Sequence, residues 1–365
     1  MWAGFLAYLA VLARTPRLGR RLVWTAIVAL LVLFACLPPL LSHDVYSYVD
    51  YARLGVLHGL DPYVHPPSAA PDDTAFAHVT WTETTSAYGP LFTLATYPLA
   101  WLPLSVAVYA LKAASAAAVL GTAVLVARLA PSRGLDPTRA AAFVALNPLV
   151  LVHVVGGPHN DSIAVLLMTL GIAAALTARE FSAGAALLAA ALTKATAAIA
   201  LPFALVQRPP TGRKGDVATR FRPVGRLLLG GIAAAGALGA VGWVGFGWDW
   251  LHAFALAAEN QGRTSHMSIP TTTARLTGLD PDAIRIAFGI ALIASVAYLL
   301  TWTARGGDWL RASAWATTGL LLASAWLLPW YLIWALPQVA LSRDRLLQLL
   351  TLGLTAYQLG ARIPL

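Results

Sequence analysis

Apolar runs approaching the roughly 20 residues of a membrane helix recur along the whole chain, and they constrain the fold more than any motif does. The clear ones in the first half are 22–41, 104–130, 138–155 and 162–178. In the second half they are 224–244, 286–304, 312–328 and 346–359. Only 11% of the 365 residues are charged, where a soluble domain usually carries about a quarter. That is too little polar side chain to cover a globule of this size. Cys36 is the lone cysteine and lies inside an apolar run, so a disulfide scaffold is excluded with disorder. The expectation is an all-α polytopic bundle, with residues 1–365 as a single integral-membrane domain.

Two places break the apolar pattern. The stretch 183–207 carries Lys194 in its middle and Pro202 beyond it. The stretch 312–341 is interrupted by Pro329 and flanked by Trp326, Trp330 and Trp334. Each reads as two short helices meeting at depth, which a membrane tolerates where the irregular backbone is buried or lines a cavity. With both as hairpins, the connecting loops alternate consistently and about eleven membrane segments result. One side then receives 18 of the 25 basic residues, from Arg14, Arg17, Arg20 and Arg21 through Arg128, Arg133, Arg139 and Arg179 to Arg343 and Arg345. By the positive-inside rule that side is cytoplasmic. The net charge of +9 is therefore read as membrane orientation, and nucleic acid is not expected as a partner. Residues 1–13 are apolar but too short to span, and they read either as the tail of a helix or as an interfacial segment.

The outward loops carry the acidic and histidine residues. The longest, 42–101, holds Asp44, Asp50, Asp61, Asp72, Asp73 and Glu83 against a lone Arg53 up to residue 87, with four of the eight histidines. Its last part, 91–101, reads as an amphipathic helix on the membrane surface. The second outward segment is Gly156-Gly157-Pro158-His159-Asn160-Asp161, and the third, 245–285, contains Glu259-Asn260-Gln261-Gly262-Arg263. This topology brings Asp44, His159, Asp161 and Lys194 to one face of the bilayer. Asp44, at the outer end of the first span, is placed either to accept a proton from a sugar hydroxyl or to anchor a helix end. An ammonium inside a membrane segment costs roughly 2.5–3.5 kcal/mol on insertion scales. Lys194 therefore reads as functional, with snorkelling as the alternative; Lys112 reads as snorkelling or structurally paired. His159-Asn160-Asp161 could form an acid/base pair, a metal half-site or an N-cap for the next span. No metal-ligand spacing of the HExxH kind, P-loop or dinucleotide fingerprint occurs, so neither metal nor cofactor is expected.

Several short elements, taken in order, resemble a known family. They are Ser42-His43-Asp44-Val45-Tyr46-Ser47-Tyr48, Gly59-Leu60-Asp61-Pro62-Tyr63 and Tyr88-Gly89-Pro90-Leu91, then Asn147-Pro148-Leu149 and Gly157-Pro158-His159-Asn160-Asp161. Lys194 followed by Leu201-Pro202-Phe203, and Pro329-Trp330-Tyr331-Leu332-Ile333-Trp334, complete the set. The chain is similar in these respects to the actinobacterial polyprenol-phosphomannose-dependent alpha-1,6-mannosyltransferases, integral-membrane glycosyltransferases of the GT-C superfold.

The resemblance implies transfer of a hexose, mannose first, from a polyprenyl-phosphate sugar to a glycan or glycolipid acceptor. It implies inversion, at the extracytoplasmic face of the plasma membrane. Asp44 would be the catalytic base, with Lys194, Arg263 and His159 as candidates to hold the donor phosphate. Tyr46, Tyr63, Tyr88, Asn160, Asp161, Trp330 and Tyr331 are the candidate substrate-binding residues. Against what the resemblance implies, more N-terminal helix and a C-terminal soluble domain would be expected, so the start reads as missing or divergent; Tyr46 stands where a second carboxylate of an Asp-x-Asp would, which argues against a metal bridging there. Two alternatives stand beside this reading: a flippase or transporter of a lipid-linked sugar, and a sister GT-C enzyme using arabinofuranose or glucose.

Overall fold

The computed structural model describes residues 1–207, 217–259 and 262–360, and among these the chain is all-helical with no strand. Helices α1 (Trp2–Leu18) and α2 (Arg20–Cys36) open it, and the 42–101 segment contributes α3 (Asp44–Leu57) and α4 (Pro90–Thr96). The 91–101 stretch expected as one amphipathic helix is helical in two pieces, α4 and a 3₁₀ run Tyr97–Trp101. Helices α5 (Leu104–Leu129) and α6 (Pro137–Ala145) follow, and a π-helical stretch Val150–Val155 leads into α7 (Asp161–Leu176). Helices α8 (Glu180–Thr193) and α9 (Ala200–Val206) flank Lys194, and α10 (Val217–Phe246) runs back along them. Two short helices, α11 (His252–Glu259) and α12 (Ile269–Thr277), precede α13 (Pro281–Ala304) and α14 (Trp309–Ala323). The last two are α15 (Leu336–Leu341) and α16 (Arg345–Gly360). Arg208, Arg213, Lys214, Asn260 and Gln261 lie outside the described residues.

Among the described residues three helices are long and apolar enough to cross a membrane: Leu104–Arg133, Pro223–Phe246 and Pro281–Ala304. The last two turn large apolar side chains outward, with Val244 79% and Ile293 71% exposed. An apolar face of that kind is tolerated where lipid, not water, meets it. The other apolar runs form shorter helices.

The run 138–155, expected as one continuous span, is instead broken in its middle. Pro148 has no N–H to give and disfavours helix at the residue before it, so α6 stops at Ala145. Asn147 makes good the break: its side-chain oxygen accepts the Leu149 N–H at 3.0 Å, and its amide donates to Thr355 at 3.1 Å. The two expected breaks are present. Lys194 is a single extended residue (φ −150°, ψ 114°) between α8 and a 3₁₀ turn Ala195–Ile199, and Pro329–Trp334 forms a 3₁₀ run between α14 and α15.

Helix α8 packs closely on α10 through small residues. A β-carbon on Gly184 would lie 1.8 Å from the Leu227 carbonyl oxygen, and one on Gly230 would lie 1.9 Å from that of Phe181. Only glycine lets the two backbones approach this far, the usual device of membrane helix pairs. The core between the helices is filled by Ile27, Val119, Val165, Leu187, Leu310 and Ile333, all fully or nearly fully buried. At the end of α14 that carries basic residues, Asp344 accepts from Arg311 at 2.7 Å and from the Trp315 indole at 3.0 Å. Asp308 there pairs with Arg133.

Candidate active site

The carboxyl ends of α2, α8, α10 and α14 and the amino ends of α3, α5 and α7 lie toward one end of the bundle, as the order of the helices requires. There they surround a cavity of about 750 Å³ lined by Asp44, Trp81, Tyr88, His159, Asp161, Lys194, Arg263, Trp330, Tyr331 and Trp334, among others. The size is that of a site for a small ligand.

Two devices build one wall of it. The π-helical turn at Val150–Val155 leaves carbonyl groups without their ordinary helical partners, a distortion often met at functional sites. Lys112 is fully buried and supplies the missing donor, its Nζ giving hydrogen bonds to the carbonyls of Gly156 (2.6 Å) and Val155 (3.3 Å). Of the two readings for Lys112, structural pairing is the one realised. Ser115 donates to the Val154 carbonyl at 2.8 Å, and the Leu40 N–H to that of Gly156 at 3.0 Å. These bonds fix the His159-Asn160-Asp161 loop against α5 and the segment that leads to Asp44. The second device is Gly89, where a β-carbon would meet the Leu192 carbonyl oxygen at 1.7 Å. Its absence lets the start of α4, and Tyr88 with it, sit directly on the end of α8 that delivers Lys194.

Asp44 is not at the end of the first span, as the sequence had implied. Helix α2 stops at Cys36, before Pro38 and Pro39, and Asp44 opens α3 seven residues on from the α2 C-cap. Its carboxylate faces His159, with Oδ2 3.4 Å from Nδ1. Burial pushes the Asp44 carboxyl above the usual carboxylate range, and the Lys194 ammonium pulls against that. His159 is 1% exposed, and its burial, with Lys194 and His153 nearby, holds the imidazole well below its ordinary range. The ring is thus neutral and stacks face to face on Trp330, centroids 3.8 Å apart.

Lys194 pairs with Asp161 at 3.3 Å, and Asp161 accepts the Trp334 indole N–H at 2.6 Å. The ammonium also lies over the rings of Tyr331 (5.4 Å) and Trp334 (5.9 Å), which are themselves stacked. A carboxylate and two π-faces offset the cost of holding this cation at a helix break. Lys194 does not snorkel away from the cavity. Across it, the Arg263 guanidinium lies 4.9 Å over the Trp81 ring.

The cavity thus gathers Asp44, Lys194, Arg263, His159, Tyr88, Asp161, Trp330 and Tyr331 of the expected set. Three expected residues do not line it. Tyr46 stacks on His78 instead, centroids 4.8 Å apart. Tyr63 is 2% exposed and donates its hydroxyl to the Tyr88 carbonyl at 2.7 Å, so it positions Tyr88 from behind. Asn160 is buried at the N-cap of α7 without a side-chain capping bond; its backbone N–H donates to the Tyr48 hydroxyl at 3.4 Å. Trp81 lines the cavity and was not singled out in the sequence, while Tyr48 and Tyr51, tyrosines of a crowded first loop that read as structural, line it too. Trp81 carried a signal, being the lone tryptophan in the acidic part of the 42–101 loop. Among the described residues no group of three metal-ligating side chains converges.

Residues 1–208 match the family model described as alpha-(1->6)-mannopyranosyltransferase, N-terminal domain. The chain belongs to this family. It is 32% identical over 331 residues to alpha-(1->6)-mannopyranosyltransferase A of Mycobacterium tuberculosis, an alignment covering 83% of this chain and 61% of that protein. The same-named protein of Corynebacterium glutamicum is 32% identical over 233 residues, 58% of this chain and 46% of its own length. A probable alpha-(1->6)-mannopyranosyltransferase of Mycolicibacterium smegmatis is 29% identical over 357 residues, 83% of this chain and 62% of that protein. The chain thus spans at most 62% of the length of these three relatives. No solved structure matches it. Within the family-matched region lie Asp44, His159, Asp161 and Lys194, while Arg263, Trp330 and Trp334 close the cavity from outside it.

Proposed function

We propose that this cavity transfers a mannosyl residue from a polyprenyl-phosphate donor to a glycan or glycolipid acceptor, forming an alpha-1,6 linkage. The observation that carries the reading is the placement of the Asp44 carboxylate and the cations Lys194 and Arg263 around one cavity, in a chain of this family. Asp44 accepts the proton of the acceptor hydroxyl as that oxygen forms its bond to the anomeric carbon. The bond from that carbon to the phosphate oxygen breaks with inversion, and the lipid phosphate leaves carrying the electron pair. Its growing charge needs preorganised positive groups, which Lys194 and Arg263 supply. His159 lines the same cavity beside Asp44 and is the third candidate to hold the phosphate. Tyr88, Trp330 and Tyr331 offer faces and hydroxyls against which sugar rings are held. In this reading the chain crosses the plasma membrane about eleven times and the cavity opens on the extracytoplasmic side, with the basic clusters opposite.

The test is incubation of the purified protein in detergent with defined polyprenyl-phosphate sugars and an oligomannoside acceptor, followed by linkage analysis of the product. Consumption of the mannosyl donor with formation of an alpha-1,6 linkage is the expected result. Transfer of arabinofuranose or glucose in place of mannose would move the assignment to a sister activity. Absence of any transfer, in detergent where translocation has no meaning, would favour a transporter.

A further inference from the structure

A second crevice lies where the amino ends of α2 and α6 meet the carboxyl end of α5. It has a volume of about 450 Å³ and is lined by Arg20, Trp24, Val124, Ala127, Arg128 and Thr138, with two prolines. Along α5, residue 128 is 16 positions beyond Lys112, which holds the active-site loop. At the rise of an α-helix that is roughly 24 Å, close to the hydrocarbon thickness of a bilayer. The crevice therefore sits at the opposite interface from the cavity.

Three other arginines at this end are engaged. Arg133 pairs with Asp308 and Arg311 with Asp344, while Arg139 donates to the Leu12 carbonyl. Arg20 and Arg128, like several arginines of this end, have no carboxylate within ion-pair distance among the described residues, and they are the two that line the crevice. The nearest acidic residue in sequence, Asp136, is engaged in capping α6, its carboxylate accepting the Arg139 N–H at 2.6 Å. Two uncompensated guanidinium groups thus flank an apolar slot made by Trp24, Val124 and Ala127. The carboxyl end of α5 contributes a partial negative charge of about half a unit, which two full charges outweigh.

We infer that this crevice binds the anionic headgroup of a membrane phospholipid, with Arg20 and Arg128 on the phosphodiester and an acyl chain along Trp24, Val124 and Ala127. Basic pockets between membrane helices on the cytoplasmic side recognise lipids in this way. The guanidinium fork matches a phosphate where an ammonium would not. The site does not depend on the reaction assigned to the cavity.

The test uses the full chain purified in a neutral detergent and titrated calorimetrically with short-chain phosphatidylglycerol, short-chain phosphatidylcholine and inorganic phosphate. Phosphatidylglycerol is expected to bind, and the other two to bind far more weakly. The double variant Arg20→Gln/Arg128→Gln should weaken that binding by about thirtyfold, taking each basic residue at its usual worth near an anionic lipid. Arg305→Gln, a basic residue of the same end that does not line the crevice, should leave it unchanged. Val124→Trp fills the slot without altering charge and should weaken binding as well, while Arg20→Lys/Arg128→Lys should retain part of it. Equal binding of the two phospholipids, unchanged affinity in both the double variant and Val124→Trp, or displacement of the lipid by inorganic phosphate at similar concentration would each overturn the inference.

Discussion

Asp44→Asn separates the proposed chemistry from the architecture that holds it. The substitution keeps the shape of the side chain, and its amide oxygen can still face the His159 ring nitrogen that now lies 3.4 Å from Oδ2. That contact is long, so its loss is worth no more than an ordinary net hydrogen bond of roughly 1 kcal/mol. What disappears is the ability to accept a proton. General-base assistance is typically worth about 10²–10⁴-fold, or roughly 2.7–5.5 kcal/mol of barrier. The burial that raises the Asp44 carboxyl makes it a stronger base than a solvated carboxylate, which places the loss toward the upper part of that range. Turnover of the mannosyl donor should therefore fall by at least about a hundredfold, while donor affinity changes little because the base acts on the acceptor.

The pH profile gives an independent readout. A carboxyl raised by burial loses its basic form as pH falls through the raised value, so the wild-type rate should drop on the acid side earlier than for an unperturbed aspartate. The residual rate of Asp44→Asn should lack that limb. Asp72→Asn, an exposed residue of the same loop, should be nearly silent in both measurements. Retention of more than a few per cent of turnover by Asp44→Asn, with the acid limb intact, would refute the assignment.

Lys194→Met keeps length without charge, and it should cut turnover or raise the donor KM strongly while protein yield stays near wild type; normal transfer would leave the lysine a structural partner of Asp161 only. Asp161→Asn frees Lys194 from its 3.3 Å partner and should lower the donor KM together with kcat, whereas abolition of turnover alongside an active Asp44→Asn would move the base to this loop. Asp50, 1% exposed in α3, has its carboxyl pushed up to about 7 by burial and by Asp73, against His58 and Arg53. Between 3.8 and about 7 the folded loop holds a proton that the unfolded chain does not, so stability falls as pH rises through that window. Asp50→Asn should flatten this trend and melt higher than wild type at about pH 8; parallel melting curves would refute it. Cysteine labelling, after replacement of the exposed Cys36, should reach position 72 and position 213 from opposite sides of the membrane, and labelling of both from one side would overturn the topology.

How far the sequence reveals this molecule depends on which kind of signal each part carries. Apolar runs and helix-breaking residues act locally, so the breaks at Lys194 and Pro329 were legible. The break at Asn147 was not, because neighbouring apolar residues mask a single Asn-Pro step, and its repair by Thr355 is a contact between distant parts of the chain. The convergence of Asp44, His159, Asp161 and Lys194 followed from loop alternation alone. Partners within the site did not follow: nothing in the spacing indicates that Trp334 donates to Asp161, or that Trp330 covers His159. The offset of Asp44 from its helix arose because 22–41 reads as one apolar run, while its two prolines end the helix early. Tyr63 was legible as a motif residue but not as a support, since its hydroxyl serves the Tyr88 backbone and not the cavity.

The charge arrangement accounts for why two carboxylates and two cations share one cavity. Around the cavity Asp44 and Asp161 face Lys194 and Arg263, two charges of each sign. A lipid phosphodiester adds one negative charge. In the proposed reaction Asp44 takes up a proton and becomes neutral, while the departing phosphate gains the charge that Asp44 has lost. The net charge of the cavity is therefore the same before and after transfer. The chemistry requires only that one negative charge move from the Asp44 carboxylate, beside His159, to the groups that hold the phosphate. Fixed dipoles and charges accomplish that without reorganising at the moment of reaction. A neutral His159 beside the base keeps the proton acceptor from being stabilised too well, and Asp161 beside Lys194 keeps the cation in place without fully neutralising it. In the proposed reaction the same logic separates the two aspartates: Asp161 is tied by Lys194 and Trp334 together, and Asp44 is the carboxylate that meets the acceptor hydroxyl.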